Sequence, residues 1–318
     1  MTNLAAQQPA WLAQHIEDDD LIRDLLADKR SPSTRRAYEK DLKYFFRFVT
    51  GSDPTPEVVG QFLGLSRVQA IKSVLRYKAS LLESGLAEAT VNRRLAAIKS
   101  LVSYAQKIDK CSYSLEEIKG EKVVPYRDTS GITAEEFQKM LNTLNRASPA
   151  GKRDYALLSL LWSNALRRNE VLVKVSAFDA GEATLTILGK GRGTQSEKVK
   201  LPSKTVKAIA DWLKCRSGVR PSDPLFTSLD PVNYGKPLTG DGVYKIVRVI
   251  ALKAGITKTF SPHRIRHSSI TSALDATNGD VRTVQKFSRH KKSDTLLIYD
   301  DNRENAQERV SELVSNLI

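Results

Sequence analysis

Cysteine and histidine are scarce in this 318-residue chain, with two of the first (Cys111, Cys215) and four of the second. Two thiols are too few for a disulfide framework, and they stand in no metal-ligand cluster, which excludes a stapled secreted domain and fits a reducing interior. No stretch approaches the roughly 18 apolar residues that cross a bilayer. Met1-Thr2-Asn3-Leu4-Ala5 lacks the basic-then-apolar pattern of a secretory leader. Internal repeats and low-complexity tracts are also missing. These absences predict a cytoplasmic or nucleoid-associated protein with no membrane partner, no cofactor and no metal. At 318 residues the chain is long enough for two domains with separate cores.

Acidic residues are few where the bases concentrate. The formal net charge is +14. Residues 1–30 and 300–318 hold eleven acids and five bases, so the middle of the chain carries about +20. A surplus of that size attracts a polyanion and makes binding salt-dependent. The plainer alternative is a basic soluble protein.

Helical periodicity dominates the first third. Ser33 is the expected cap of a helix through Val49, with Tyr38, Leu42, Phe46 and Val49 on one stripe and Arg35, Arg36 and Lys43 elsewhere. Further helices are expected over residues 56–63, 67–84 and 90–107, the last capped by Thr90 and carrying Arg93, Arg94 and Lys99. These bases are candidate DNA-backbone contacts, although solvated faces look the same. Residues 1–110 read as a helical domain with an acidic tail at 1–20, residues 111–130 as a linker, and residues 131–318 as a second domain. There Thr133 caps a helix, and an apolar helix covers 152–166. A hairpin joins 183–188 to 197–201 through Gly189-Lys190-Gly191-Arg192-Gly193. Helices are expected at 203–216, 240–254, 263–276 and 280–289. Ala306, Val310, Leu313, Val314, Leu317 and Ile318 form an apolar stripe on a last helix at about 303–318. The fold class is therefore mainly α with a small antiparallel β-sheet.

Three segments carry chemistry. Ala165-Leu166-Arg167-Arg168-Asn169-Glu170 places an arginine after an apolar helix. Ser261-Pro262-His263-Arg264-Ile265-Arg266-His267 contains a His-x-x-Arg pair. His290 precedes Tyr299 by nine residues. Each has a bland reading: a surface arginine, a shared helix face, a core tyrosine. Together with Lys190 they give six residues, Arg167, Lys190, His263, Arg266, His290 and Tyr299, in an order that resembles the catalytic set of the tyrosine recombinases, the phage integrase and Xer/Cre family. Ser31-Pro32-Ser33-Thr34-Arg35-Arg36-Ala37-Tyr38, Thr90-Val91-Asn92-Arg93-Arg94-Leu95 and Leu188-Gly189-Lys190-Gly191 resemble other parts of that family. Arg289 departs from it, standing where the family usually has glycine, as does Ala165 in place of the usual glycine before Leu-Arg. Arg168 rivals Arg167, which is preferred because Glu170 then keeps the family's spacing.

The resemblance implies a helical core-binding (SAM-like) domain and an α+β catalytic domain forming a C-shaped DNA clamp. It implies a site-specific recombinase that works without metal or nucleotide, through a 3′-phosphotyrosine and a Holliday junction, as a tetramer on two short core sites. Arg167 and Arg266 would hold the phosphate, because a planar guanidinium gives paired hydrogen bonds and stays charged. His263 would take or relay the tyrosine proton, His290 would bond a phosphate oxygen, Lys190 would protonate the leaving 5′-oxygen, and Tyr299 would be the nucleophile. Arg192 and Arg264 join the candidate DNA contacts. Two readings of the last helix stand: docking into a neighbouring protomer, or packing on its own domain. A type IB topoisomerase-like or telomere-resolving enzyme would share the same site, and a non-catalytic DNA-binding protein of this fold is the remoter alternative.

Overall fold

The computed structural model describes residues 20–123, 131–189, 195–293, 296, 297, 299 and 306–317. The chain divides into two units, Met1–Pro125 and Tyr126–Ile318. The first holds helices α1 (Leu21–Asp28), α2 (Pro32–Thr50), α3 (Pro56–Leu63), α4 (Arg67–Glu83) and α5 (Glu88–Lys107). Local chemistry sets their ends. The cap of α2 is Ser31, whose hydroxyl accepts from the Thr34 amide, with Pro32 opening the helix. The expected cap, Ser33, lies two residues too late, because proline suits a first position whose N–H has no helical partner. Gly51 ends α2 in the left-handed region at φ 79° and donates to the Arg47 carbonyl. A reciprocal Ser66–Gln69 box opens α4. Helix α5 begins at Glu88, so Thr90 lies within it, and no side chain caps its start.

The core of this unit centres on Phe45, whose ring meets Phe46, Phe62 and Tyr77 edge-on at centroid distances of 5.2, 5.0 and 5.3 Å. The buried face of α2 is therefore Leu42, Phe45 and Phe46, while Val49 at its end is exposed. The expected linker at 111–130 is largely not one. Cys111, Tyr113, Leu115 and Ile118 pack into the helical core. The Tyr113 hydroxyl donates to the Phe62 carbonyl at 2.7 Å. Asn92 clasps Glu121 by two backbone bonds, at 2.9 and 2.7 Å. Aperiodic sequence hid this segment because its apolar residues serve single pockets rather than a helical face. The remainder of the expected linker, residues 124–130, lies outside the described residues, as do residues 1–19 of the acidic tail.

In the second unit, α6 (Ala134–Asn142), α7 (Pro149–Ser163), α8 (Ser203–Leu213), α9 (Gly240–Lys253), α10 (Pro262–Ala276), α11 (Val281–Ser288) and α12 (Ala306–Ser315) accompany a sheet of β1 (Phe178–Asp179), β2 (Thr184–Leu188) and β3 (Ser196–Lys200). The strands run antiparallel in the order β1-β2-β3, with Leu185 opposite Val199 and Leu188 opposite Ser196. Alternation sends Leu185, Ile187 and Val199 into the core beside Leu157, Leu161 and Trp212. The molecule is thus mainly helical with one small antiparallel sheet. Helix α7 stops at Ser163, three residues before its expected end, because Asn164 caps it and Ala165 turns left-handed. At Gly131 a β-carbon would come within 2.3 Å of the Ser268 hydroxyl oxygen, and that hydroxyl accepts from the Ile132 amide at 2.8 Å. Glycine therefore lets the chain pass close against α10. On α12, Val310, Leu313 and Val314 are exposed, as is Leu317 just beyond it.

Candidate active site

Three backbone features build the site. First, Ala165 takes φ 44° just after α7, at a cost of about 1 kcal/mol for a residue with a β-carbon. This throws Leu166 into the core and starts a tight turn in which the Glu170 amide donates to the Arg167 carbonyl at 2.8 Å. Second, α10 begins at Pro262 under a Ser261 cap, so His263, Arg266 and His267 lie on its first two turns, with His263 and His267 on one side four residues apart. Third, α11 ends at Arg289, also left-handed at φ 57°, which turns His290 back toward α10.

The Arg266 side chain is buried (1 % exposed) and joins these features. It donates to the Ala165 carbonyl, to the Ser288 carbonyl, and lies 3.4 Å from His290 Nε2. His290 is held from its other ring nitrogen, with Nδ1 2.9 Å from Ser288 Oγ, and its carbonyl accepts from Gln285 at 3.1 Å. Glu170, also buried, receives the Arg167 amide at 2.9 Å, the Arg167 guanidinium at 2.8 Å and the Arg289 guanidinium at 3.1 Å. Arg289 additionally donates to the carbonyls of Asn164 at 3.0 Å and Ala165 at 3.3 Å.

The electrostatics follow from this packing. Burial alone pushes the Glu170 carboxyl up. The Arg167 amide and guanidinium together with Arg289 outweigh it and hold the group below the usual carboxylate range. Burial, then repulsion from Arg167 and Arg289, pushes Arg266 down to about 9, with Glu170 and Tyr299 opposing the fall. It stays charged at neutral pH. Three guanidiniums therefore cluster with a single carboxylate that only Arg167 and Arg289 bind directly, an arrangement that an added anion would relax.

Tyr299 closes the site. Its ring is 2 % exposed, packed with Ala165, Ile270, Leu274, Val284 and Leu296. It meets the His267 ring edge-on at 5.0 Å and the His290 ring at 6.2 Å. His267 in turn lies with Nε2 2.8 Å from Nε2 of His263.

Of the six residues singled out from sequence, Arg167, His263, Arg266, His290 and Tyr299 converge here. Lys190 lies outside the described residues, as does Arg192. The rival Arg168 turns away to Asp241, 3.5 Å off, and is half exposed. Sequence reasoning missed Arg289 and His267 as members of the site, and treated Glu170 only as a spacing mark. The signal for Arg289 was its place where a glycine is usual; a long side chain in the left-handed region needs compensating bonds, and it makes four to protein acceptors. Among the candidate DNA contacts, Arg36 and Lys43 are exposed, Lys43 pairing with Glu39 at 3.0 Å. Arg264, on α10, is half-buried. Arg35 donates to the Lys29 carbonyl, Arg93 pairs with buried Asp41, Arg94 stacks on Tyr44 at 4.4 Å, and Lys99 donates to the Ile118 carbonyl. Those four side chains are engaged inside their own unit.

The model of the phage integrase family matches residues 131–306, and that of the phage integrase N-terminal SAM-like domain matches residues 19–107. A tyrosine recombinase of Synechococcus elongatus is 48% identical over 100% of both chains. A tyrosine recombinase of Synechocystis sp. is 47% identical, covering 95% of this chain and 96% of that one. Among solved structures, the XerH site-specific recombinase bound to palindromic difH substrate, in a post-cleavage complex, superposes with a TM-score of 0.63 at 19% identity, over 93% of this chain and 95% of that chain. At that identity the likeness is one of fold.

Proposed function

This chain belongs to the phage integrase family of tyrosine recombinases, and from that premise we propose that it cuts and rejoins specific DNA sites by covalent transfer of a phosphodiester to Tyr299. The observation that carries the reading is the convergence of three guanidiniums, three imidazoles and one buried phenol around the Ala165 turn.

In this mechanism Arg167 and Arg266 receive the non-bridging oxygens of one DNA phosphate, and Arg289 adds charge behind them. The bound anion relieves the burial penalty and, after it, the Arg167 and Arg289 repulsion that lower Arg266, and the relief grows as negative charge builds in the transition state. The Tyr299 oxygen attacks phosphorus, its O–H proton passes to His263, and the bond to the 5′-oxygen breaks. Lys190, which follows β2 in the sequence, protonates that leaving oxygen. Forming a phenolate at pH 7 costs about 4 kcal/mol from the reference acidity, and the surrounding guanidiniums offset part of it. The product is a 3′-phosphotyrosine, which keeps the phosphoester for attack by the 5′-hydroxyl of a partner strand. Because Tyr299 packs on His267 and His290 of its own chain, attack in cis is the version we favour.

Strand exchange between two sites calls for four protomers and a Holliday junction. The exposed Val310, Leu313 and Val314 on α12, with Leu317 just past its end, support docking of that helix into a neighbouring copy. Removal of residues after 304 should abolish synapsis and leave single-site binding intact.

The test of the chemistry is a nicked duplex pool with a randomised core, incubated with wild type and Tyr299→Phe. A protein–DNA adduct stable to denaturant, present only with wild type, is expected. Relaxation of supercoiled DNA lacking any specific site would instead favour topoisomerase activity.

A further inference from the structure

Building on the functional reading above, we propose that His267 is a positioning residue for the general base. It accepts a hydrogen bond from His263 Nε2–H, fixes which ring nitrogen of His263 takes the tyrosine proton, and stabilises the imidazolium that results.

The two Nε2 atoms are 2.8 Å apart, and the rings meet edge-on at 4.2 Å and 67°. A contact that short between imidazole nitrogens requires one to carry hydrogen and the other a lone pair. His263 is exposed on the first turn of α10, whereas His267 is buried one turn later. An exposed imidazole has rotamer freedom and two tautomers of similar energy; a bond to a buried, packed ring removes both freedoms. His267 is itself wedged against the Tyr299 ring. One side chain thus touches both the base and the nucleophile.

The direction of the bond follows from the work required. For His263 to receive a proton it must present a lone pair to the reacting atoms. If Nε2–H of His263 is donated to His267, Nδ1 is the atom that takes the proton. When the Tyr299 O–H bond breaks and the oxygen bonds to phosphorus, that proton ends on His263 Nδ1, and the 5′-oxygen leaves with a proton from Lys190. The His263–His267 bond then becomes charge-assisted, and so stronger at the step where stabilisation matters. A base oriented by a third group is the general logic of activated nucleophiles; here an imidazole fills the place that a carboxylate fills elsewhere. A neutral group suits this site because Glu170 is already engaged by Arg167 and Arg289, and a second carboxylate would cancel charge meant for phosphate.

Two measurements on the full chain test this. In ¹⁵N-histidine NMR of wild type, with the His263 signal identified by its loss in His263→Gln, the ring should be a single tautomer with hydrogen on Nε2. In His267→Phe, which keeps a ring against Tyr299 but removes the acceptor, the signal should shift toward a mixture. With the randomised nicked pool, adduct formation by His267→Phe should slow by roughly 10- to 100-fold, the scale of groups that orient a reacting side chain. His267→Gln, whose amide oxygen can occupy the Nε2 position, should recover most of the rate. Hydrogen on Nδ1 of His263 in wild type, or an unchanged rate in His267→Phe, overturns the proposal. If the phenylalanine variant does not fold, the wild-type tautomer and the glutamine variant decide it. An adduct that persists in Tyr299→Phe is a separate result, and sinks the functional reading itself.

Discussion

Each unit buries one carboxylate facing two arginines, and the two groups behave in opposite ways. In the helical unit Asp41 is met by Arg93 and, at 4.0 Å, Arg94. Burial pushes its carboxyl up, and Arg93 recovers only part of the loss. In the second unit Glu170 is as deeply buried, yet its carboxyl is pulled down, because a backbone amide and two guanidiniums bind it directly. The first cluster comes to about one net positive charge, and Arg93 is half in water. The second gains Arg266 and comes to about two, held where solvent screens poorly. Buried carboxylate–arginine pairing is therefore neutralised architecture in one unit, and in the other it leaves the surplus positive charge that the proposed phosphate contacts would use.

The largest contrast should come from neutral isosteres. Glu170→Gln should cost about 2–3 kcal/mol in urea unfolding, because charged hydrogen bonds are lost and three guanidiniums are left facing one another. Asp41→Asn should cost under about 1 kcal/mol, since burial already favours the uncharged form there. Equal losses would erase the distinction.

Acid should separate the units next. A carboxyl lowered in the folded state lends stability that is present above its unfolded pKa and lost as pH falls through the folded value, so Glu170 weakens the second unit in acid. A raised carboxyl does the reverse: Asp41 lends stability below its unfolded pKa that is lost as pH rises through the folded one. Calorimetry from pH 7 toward about 3 should show the second unit's transition falling relative to the first. Glu170→Gln should shrink that gap, and Asp41→Asn should remove the helical unit's gain.

Arg289→Gly sharpens the comparison within the site. Glycine relieves the left-handed strain of about 1 kcal/mol, but the bonds to Glu170, Asn164 and Ala165 go. The sum should be a loss of about 1–2 kcal/mol and slower adduct formation, with Arg289→Lys in between.

How far the sequence reveals this arrangement depends on the kind of feature. Helix existence, the β2–β3 hairpin and the cap at Thr133 are legible because they rest on local periodicity and capping side chains. Arg167 is separable from Arg168 by the position of Glu170. Illegible are the features created by distant contact: Cys111–Ile118 folding onto the helical core, Arg289 reaching Glu170 across 119 residues, and His267 touching the Tyr299 ring as well as His263. Arg93, Arg94 and Lys99 look like free surface bases in a helical wheel, and only the fold reveals Asp41, Tyr44 and the Ile118 carbonyl as their partners.

The smallest effect should fall on exposed bases. Arg36→Ala should leave unfolding unchanged within about 0.5 kcal/mol and lower the salt slope of DNA binding by about one. Arg93→Ala should do the opposite, disturbing stability through Asp41 and sparing the slope.

The most direct test is to digest the denatured wild-type adduct and identify by mass spectrometry which residue carries the nucleotide. The account predicts a phosphodiester on Tyr299. Nucleotide on any other side chain, with Tyr299 unmodified, would contradict it.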